Sequence, residues 1–133
     1  ERLTCMEIDL PFARPLDRKM SGGNVTVVQE DATRMSFADA SFDNAVCFTM
    51  LHHVPSVALQ NQLLCEAARV LRPGGWFAGT DSVYSRAFGL LHLFDTMVPV
   101  DPGTFAGRLV NAGFDDIQVD VKEHSFRFRA RRP

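Results

Sequence analysis

Short apolar runs alternate along this chain with stretches that have the spacing of amphipathic helices. The strand-like runs cover residues 3–8, 25–28, 45–50 and 76–80, and several of them are almost continuously apolar. Strands that are buried on both faces of a parallel sheet have this composition. The pattern therefore predicts an α/β fold in which helices join the strands of a mostly parallel sheet.

The clearest helix is predicted over residues 56–71, with Ser56 as its N-cap and Pro-Gly-Gly at 73–75 as its end. Its expected apolar face consists of Leu63, Leu64, Ala67, Val70 and Leu71. A weaker helix should follow residue 9, kinked or starting late because Pro15 removes a helical hydrogen bond. Further helices are expected over residues 85–97, a candidate lid over a substrate, and 102–112.

Two alternating segments at the end of the chain, residues 116–121 and 125–130, predict an antiparallel hairpin. The second places Phe126, Phe128 and Ala130 on one face and Arg127, Arg129 and Arg131 on the other. A basic stripe beside aromatic residues also occurs in RNA-binding surfaces. Because the chain has a formal net charge of −2, we expect instead a core-facing Phe side and a solvated Arg side.

Length and composition narrow the class of protein. With 133 residues and 46% hydrophobic content, a single domain over residues 1–133 is expected. The charge balance gives no bulk attraction for nucleic acid or an anionic membrane. The three cysteines lie far apart without a CxxC pair, so we expect reduced thiols and no metal site. No apolar leader follows Glu1, and the most apolar stretch, residues 87–100, is too short to span a bilayer, so a cytoplasmic protein is expected.

Three predicted strands end in acidic residues, Glu7, Asp31 and Asp81. Ligands of open parallel sheets collect at the carboxyl ends of the strands, where an acid can accept hydrogen bonds from ribose hydroxyls. Glu7 is the candidate for that role, although it could equally be a solvated strand end. The Asp31 carboxylate and the backbone N–H of Ala32 have the donor and acceptor types that match the edge of adenine.

Four segments carry a family resemblance: CMEID, EDATRMSFADASFDNAV, TMLHHV and ARVLRPGG. In their order and spacing, residues 3–113 resemble the small-molecule class I S-adenosylmethionine-dependent methyltransferases, and most of all the branch of ubiquinone and menaquinone C-methyltransferases. The resemblance implies a three-layer Rossmann-like sandwich that ends in an antiparallel hairpin. It also implies S-adenosylmethionine as cofactor and methyl transfer to a small-molecule acceptor, as part of a larger methyltransferase.

The resemblance also implies roles for individual residues. The implied cofactor-binding residues are Glu7 on the ribose, Ile8 against the adenine, Asp31 and Ala32 on the adenine edge, and Phe48 and Thr49 along the methionine portion. His52 and His53 are candidate general bases, with His53 slightly preferred. The chemistry does not demand a base, because positioning alone promotes in-line displacement from a sulfonium. Cys47 is expected in the core, and Asp81 and Tyr84 are candidates for orienting a substrate.

The chain departs from the family pattern at its start. The glycine-rich turn of the family belongs to a first strand and helix that would lie upstream of Glu1. In the family this strand lies between those that end here at Glu7 and near Met50, so we expect two unpaired sheet edges. We therefore expect a fragment that self-associates through these edges or is poorly soluble. The alternatives are a non-catalytic or inactive module without a complete cofactor site and, less favoured, a nicotinamide-dependent dehydrogenase, which would share only the ribose acid.

Overall fold

The computed structural model describes residues 1–20, 22–84 and 97–133. Its contacts divide the chain into two units, Glu1–Ser36 and Phe37–Pro133. Among the described residues, the first unit contains a two-stranded sheet and the second unit contains a four-stranded sheet. The single domain predicted from length stays a prediction, and each unit is described by itself.

The first unit is a β-α-β element. Strands β1 (Leu3–Glu7) and β2 (Val25–Gln29) pair in parallel, and helix α1 (Leu10–Met20) connects them. The register sets Glu7 opposite Gln29, so both strands end at the same level. A parallel pair needs such a crossover, because a tight turn can only join antiparallel strands.

Helix α1 starts earlier than predicted. It begins at Leu10, immediately after β1, and runs through Pro15 without a break in its helical span. The expected late start was wrong, because the carbonyl of Asp9 accepts hydrogen bonds from the N–H groups of Phe12 (2.9 Å) and Ala13 (2.9 Å) and so opens the helix early. Pro15 then removes only the single hydrogen bond that its own N–H would have made.

The second unit contains a mixed four-stranded sheet in the order β3-β4-β6-β5. Its strands are β3 (Phe42–Phe48), β4 (Leu71–Ser82), β5 (Asp115–Val121) and β6 (Ser125–Arg131). Strand β4 pairs in parallel with β3 and antiparallel with β6. The predicted C-terminal hairpin is confirmed, since β5 and β6 pair antiparallel.

Helices α2 (Val57–Val70) and α3 (Pro102–Asn111) belong to the same unit. The Ser56 side chain accepts a hydrogen bond from the N–H of Leu59 at 3.1 Å, which confirms it as the N-cap of α2. The predicted apolar positions are all buried: Leu63, Leu64, Ala67 and Val70 in α2, and Leu71 in β4. The predicted helix end at residues 73–75 was wrong, because the extended backbone of Leu71 ends α2 and residues 73–75 lie within β4. On the hairpin, Phe126, Phe128 and Ala130 are buried while the intervening arginines are exposed, as the alternation predicted.

An aromatic cluster joins α3 to the sheet. The ring of Phe105 on α3 lies 5.3 Å from that of Phe126 and 5.0 Å from that of Phe128, both at edge-on angles. Phe77 of β4 lies 5.1 Å from Phe128. Edge-to-face aromatic pairs at these separations are favourable beyond the area that they bury. This cluster is the centre of the core of the second unit.

Strand β3 differs from its prediction in both bounds and burial. It begins at Phe42 rather than residue 45 and ends at Phe48, because Thr49 has a positive φ of 48° and leaves the strand. Of its residues only Cys47 is buried, while Val46 and Phe48 are each 60% exposed. The expectation of a strand buried on both faces was therefore wrong for the described part of the chain.

Among the described residues, β1 pairs only with β2 and β3 pairs only with β4, so each has one edge without a partner strand. These are the two edges that the sequence predicted to be unpaired. The predicted helix over residues 85–97 lies almost entirely outside the described residues, as residues 85–96 are not described. No helix among the residues described here is long and apolar enough to cross a membrane.

Candidate functional site

Glu7 is the last residue of β1 and is half-buried there. Its Oε1 accepts a hydrogen bond from the N–H of Asp9 at 3.0 Å, which holds the carboxylate at the turn that leads into α1. One carboxylate can accept about four hydrogen bonds, so acceptor capacity remains for a ligand. Ile8 follows with its side chain 56% exposed. The predicted ribose acid thus lies at the strand end, next to an exposed apolar side chain.

Asp31 lies two residues beyond the end of β2. Its Oδ1 accepts hydrogen bonds from the N–H and the hydroxyl of Thr33, both at 2.8 Å. This Asx turn fixes the carboxylate and the following residue, Ala32, which is half-buried. Beside it the Glu30 carboxylate accepts hydrogen bonds from the N–H and hydroxyl of Ser36. The predicted adenine-reading pair therefore sits in an ordered loop whose shape is set by its own side chains.

The ends of β1 and β2 are adjacent, so the structure brings four predicted site residues to one edge of the first unit. The N–H of Glu30 donates to the carbonyl of Glu7 at 3.2 Å, which continues the ladder past the last paired residues. The side-chain amide of Gln29 also donates to the carbonyl of Ile8 at 3.2 Å. Two carboxylates at the ends of neighbouring parallel strands form the kind of edge at which nucleotides bind.

Phe48 and Thr49 lie in the second unit, at the carboxyl end of β3. Phe48 is paired with Thr80 of β4, and the N–H of Thr49 donates to the carbonyl of Thr80 at 2.8 Å. Both predicted methionine-lining residues are exposed. The positive φ of Thr49 turns the chain sharply at this point, a conformation that L-residues seldom adopt and that often marks a functional site.

A buried imidazole–carboxylate pair follows that turn. Residues Leu51–His53 form one turn of 3-10 helix, in which His52 is 3% exposed. Its Nδ1 lies 2.5 Å from Oδ1 of Asp81, at the end of β4, and Asp81 is completely buried. The carboxylate also accepts from the backbone N–H of His52 at 3.3 Å and of Ser82 at 2.6 Å.

The sequence slightly favoured His53, whose side chain is exposed, over His52. Its ring lies 4.1 Å from the ring of His52. Among the described residues, the carboxylate contact of 2.5 Å is made by His52, which the sequence ranked second. Tyr84, the other substrate-orienting candidate, is 55% exposed. No local pattern distinguishes the two histidines, since the partner of His52 lies 29 residues away.

Cys47 of β3 is also buried. Burial, reinforced by the negative charge of Asp81, raises the pKa of the Cys47 thiol to about 12. The thiol is therefore neutral near pH 7, which agrees with the prediction of a core residue and not a nucleophile.

A second buried polar group secures the same turn. The side-chain amide of Gln60, on α2, donates to the carbonyls of Leu51 at 3.1 Å and Val98 at 2.8 Å. Arg108 of α3 donates in turn to Oε1 of Gln60 at 2.9 Å, and burial lowers the pKa of this guanidinium. The 3-10 turn is thus held from β4 on one side and from α2 on the other.

An open depression of about 530 Å³ lies on the exposed face of the four-stranded sheet. Its polar lining is internally paired: Arg127 donates to Asp120 at 2.9 Å and Arg129 donates to Gln118 at 3.1 Å. Arg129 also lies 5.2 Å from the centre of the Trp76 ring. These contacts agree with the prediction of a solvated arginine face. No group of three or more metal-ligating side chains occurs in the described part of the chain.

The chain is similar in sequence to known methyltransferases. The family described as "Methyltransferase domain" matches residues 1–79. Sterol methyltransferase-like 1 of Botryococcus braunii is 43% identical over 56 residues, covering 42% of this chain and 14% of that protein. Ubiquinone/menaquinone biosynthesis C-methyltransferase UbiE of Pseudomonas paraeruginosa is 30% identical over 129 residues, covering 77% of this chain and 49% of that protein. The chain thus spans less than half the length of these curated relatives.

Solved structures show the same fold. Phosphoethanolamine N-methyltransferase 2 of Haemonchus contortus, in complex with phosphomonomethylethanolamine and S-adenosylhomocysteine, superposes with a TM-score of 0.79 at 16% identity. The match covers 98% of this chain and 43% of that one. The predicted α/β, Rossmann-like methyltransferase fold is therefore confirmed.

Proposed function

We propose that this chain, which belongs to the methyltransferase domain family, takes part in S-adenosylmethionine-dependent methyl transfer to a small-molecule acceptor, as part of a larger methyltransferase. The observation that carries the proposal is the edge of the first unit, where Glu7 and the Asp31–Ala32 loop end two adjacent parallel strands. Ligands of such sheets bind at this edge, and the acceptor groups there match a ribose and an adenine.

The residues present fit the adenosine part of the cofactor. Glu7 would accept hydrogen bonds from the ribose hydroxyls and Ile8 would pack against the adenine, while Asp31 and Ala32 would read its edge. Phe48 and Thr49 would line the methionine portion. When bound, S-adenosylmethionine supplies an electrophilic methyl group on a sulfonium. The chain's contribution is to hold the reactants in line, which can account for much of the rate of such a displacement.

The names of the relatives support a small-molecule acceptor. UbiE is a C-methyltransferase of ubiquinone and menaquinone biosynthesis, and the Haemonchus contortus enzyme was solved with a small phosphorylated amine and the demethylated cofactor. The three free cysteines suit a reducing compartment, and a cytoplasmic location is part of the proposal.

The first experiment is calorimetric titration of the protein with S-adenosylhomocysteine. We expect saturable binding that weakens about 10- to 150-fold in Glu7→Ala, since hydrogen bonds to a charged group contribute about 1.5–3 kcal/mol. The matched control is Asp9→Ala, which removes an exposed carboxylate two residues away and should leave the affinity unchanged. Absence of binding by folded protein, or equal losses in both variants, would contradict the proposal.

A second candidate is a binding module or inactive fragment that acts by association with another chain. The edges of β1 and β3 that have no partner strand among the described residues favour it, because such edges carry N–H and C=O groups that readily pair with a further strand. On this alternative we propose self-association through these edges. The nicotinamide-dependent dehydrogenase is not favoured by any residue of the site beyond Glu7.

A further inference from the structure

The two oxygens of the Asp31 carboxylate differ in how the protein uses them. Oδ1 accepts hydrogen bonds from the N–H and from the hydroxyl of Thr33, both at 2.8 Å. Within the described residues Oδ2 accepts no hydrogen bond, and Asp31 is exposed. Because each carboxylate oxygen can accept about two hydrogen bonds, the remaining acceptor capacity of this exposed side chain is concentrated on Oδ2.

The loop forms without help from the Thr33 hydroxyl. The N–H of Arg34 donates to the carbonyl of Asp31 at 2.9 Å, and together with the N–H of Thr33 on Oδ1 this already closes the turn. Rotation about χ2 of an aspartate has only a broad, two-fold preference, so a single donor restrains it poorly. The hydroxyl places a second donor on the same oxygen. Thr33 is suited to this restraint because it is buried, with 9% exposure, and β-branched, which limits rotation about its own χ1.

The backbone of the next residue completes a directional pair of groups. The N–H of Ala32 donates to no acceptor in the part of the chain that the structure describes. An acceptor, Oδ2 of Asp31, and a donor, this N–H, therefore stand on adjacent residues. Adenine presents an amine donor beside a ring-nitrogen acceptor, which complements this pair. Hypoxanthine, in which a carbonyl replaces the amine, presents an acceptor beside an N–H donor, so that like groups would face each other.

We propose that Thr33 sets the selectivity of the site for an adenine base, as a positioning residue that acts through Asp31. This rests on the proposed function. By holding Oδ1, the Thr33 hydroxyl keeps Oδ2 oriented to accept from the amine while the N–H of Ala32 donates to the ring. A carboxylate that is able to rotate loses part of its hydrogen bond to an amine and also withdraws more easily from a carbonyl. Loss of the hydroxyl therefore lowers selectivity more than it lowers affinity.

The test is calorimetric titration with S-adenosylhomocysteine and with S-inosylhomocysteine, the analogue in which a carbonyl replaces the exocyclic amine. In the unsubstituted protein we expect the adenosyl compound to bind about 10- to 150-fold more tightly, the range for one lost hydrogen bond to a charged group. In Thr33→Val, which keeps the side-chain shape and the backbone N–H, this ratio should fall about 2- to 10-fold, the range for one neutral hydrogen bond. Thr33→Ser retains a hydroxyl and should keep the ratio.

The matched control is Ser36→Ala, which removes the hydroxyl that donates to Glu30 in the same loop and should leave the ratio unchanged. Equal losses of affinity for both compounds in Thr33→Val would show a structural role only and overturn the inference. A ratio that Thr33→Val keeps, or that Thr33→Ser loses equally, would also overturn it. So would equal affinities in the unsubstituted protein, a measurement that stands even if Thr33→Val does not fold. If neither compound binds the folded protein, the proposed function falls and the inference with it, whereas in the other cases the adenosyl compound still binds and only the inference falls.

Discussion

An added methyl group at Gly79 should strongly destabilise the second unit. It lies in β4 directly opposite Cys47 of β3. A Cβ at Gly79 would stand 1.9 Å from the carbonyl oxygen of Cys47, 1.5 Å inside the 3.4 Å at which ordinary contact begins. It would also stand 2.9 Å from Cζ of Phe128. Since the nearest atom belongs to the backbone, a change of rotamer cannot relieve the clash.

We expect Gly79→Ala to lower the free energy of unfolding by about 2–5 kcal/mol. Overpacking of a core typically costs about 1–3 kcal/mol. Separating β3 from β4 at this level should in addition weaken one or two ladder hydrogen bonds, each worth about 1 kcal/mol. The control is Gly107→Ala, on the exposed side of α3, where a Cβ meets nothing within 4 Å. This change should be neutral or stabilise by up to about 1 kcal/mol.

Urea unfolding followed by the fluorescence of Trp76 measures both variants. Trp76 is the one tryptophan of the sequence and lies in β4, three residues before Gly79. A lower midpoint at unchanged slope would report lost stability, whereas a changed slope would report an altered native or denatured state. A Gly79→Ala midpoint equal to that of the unsubstituted protein would refute the close approach of the two strands.

Three further predictions concern thiol reactivity, the pH dependence of stability and self-association. Burial and the negative charge of Asp81 raise the pKa of the Cys47 thiol to about 12, so Cys47 should stay unmodified by a thiol reagent at pH 8 while the exposed Cys65 reacts. Labelling of Cys47 at a rate similar to that of Cys65 would contradict this. A raised thiol pKa stabilises the fold below pH 9.0, and this contribution should be lost progressively between pH 9.0 and about 12, measured by urea midpoints. Self-association through β3 should weaken in Asn44→Lys, because the substitution adds a charge to the exposed edge strand. If gel filtration shows that the unsubstituted protein is a monomer at every concentration, self-association is refuted.

The elements that the sequence predicted correctly are those whose periodicity is local. The apolar spacing on α2 and the alternation along β6 each report burial within one element, and both were confirmed. The errors at β3 have a different origin. Its polar start at Asp43 and Asn44 concealed three strand residues, and its apolar run was interpreted as buried on two faces. Exposure depends on which elements cover a strand, and composition does not contain that information.

In the candidate site, too, local features could be predicted from the sequence and contacts between distant segments could not. Acids at strand ends could be predicted from sequence, because a strand and the residue after it are neighbours in the chain, and Glu7 and Asp31 occur where expected. The choice between His52 and His53 could not be made in this way. A single 3-10 turn buries one ring and exposes the next, and the partner carboxylate comes from another strand. Such pairs depend on tertiary contact between distant segments.

Three successive contacts join the carboxyl ends of β3 and β4. Gly79 allows the strands to approach at Cys47, the N–H of Thr49 then reaches the carbonyl of Thr80, and beyond it the turn brings His52 to Asp81. A hydrogen bond of 2.5 Å tolerates little displacement of either partner. The small residue at position 79 therefore matters beyond its own contacts, because the strand spacing that it permits sets the distance between the His52 imidazole and the Asp81 carboxylate.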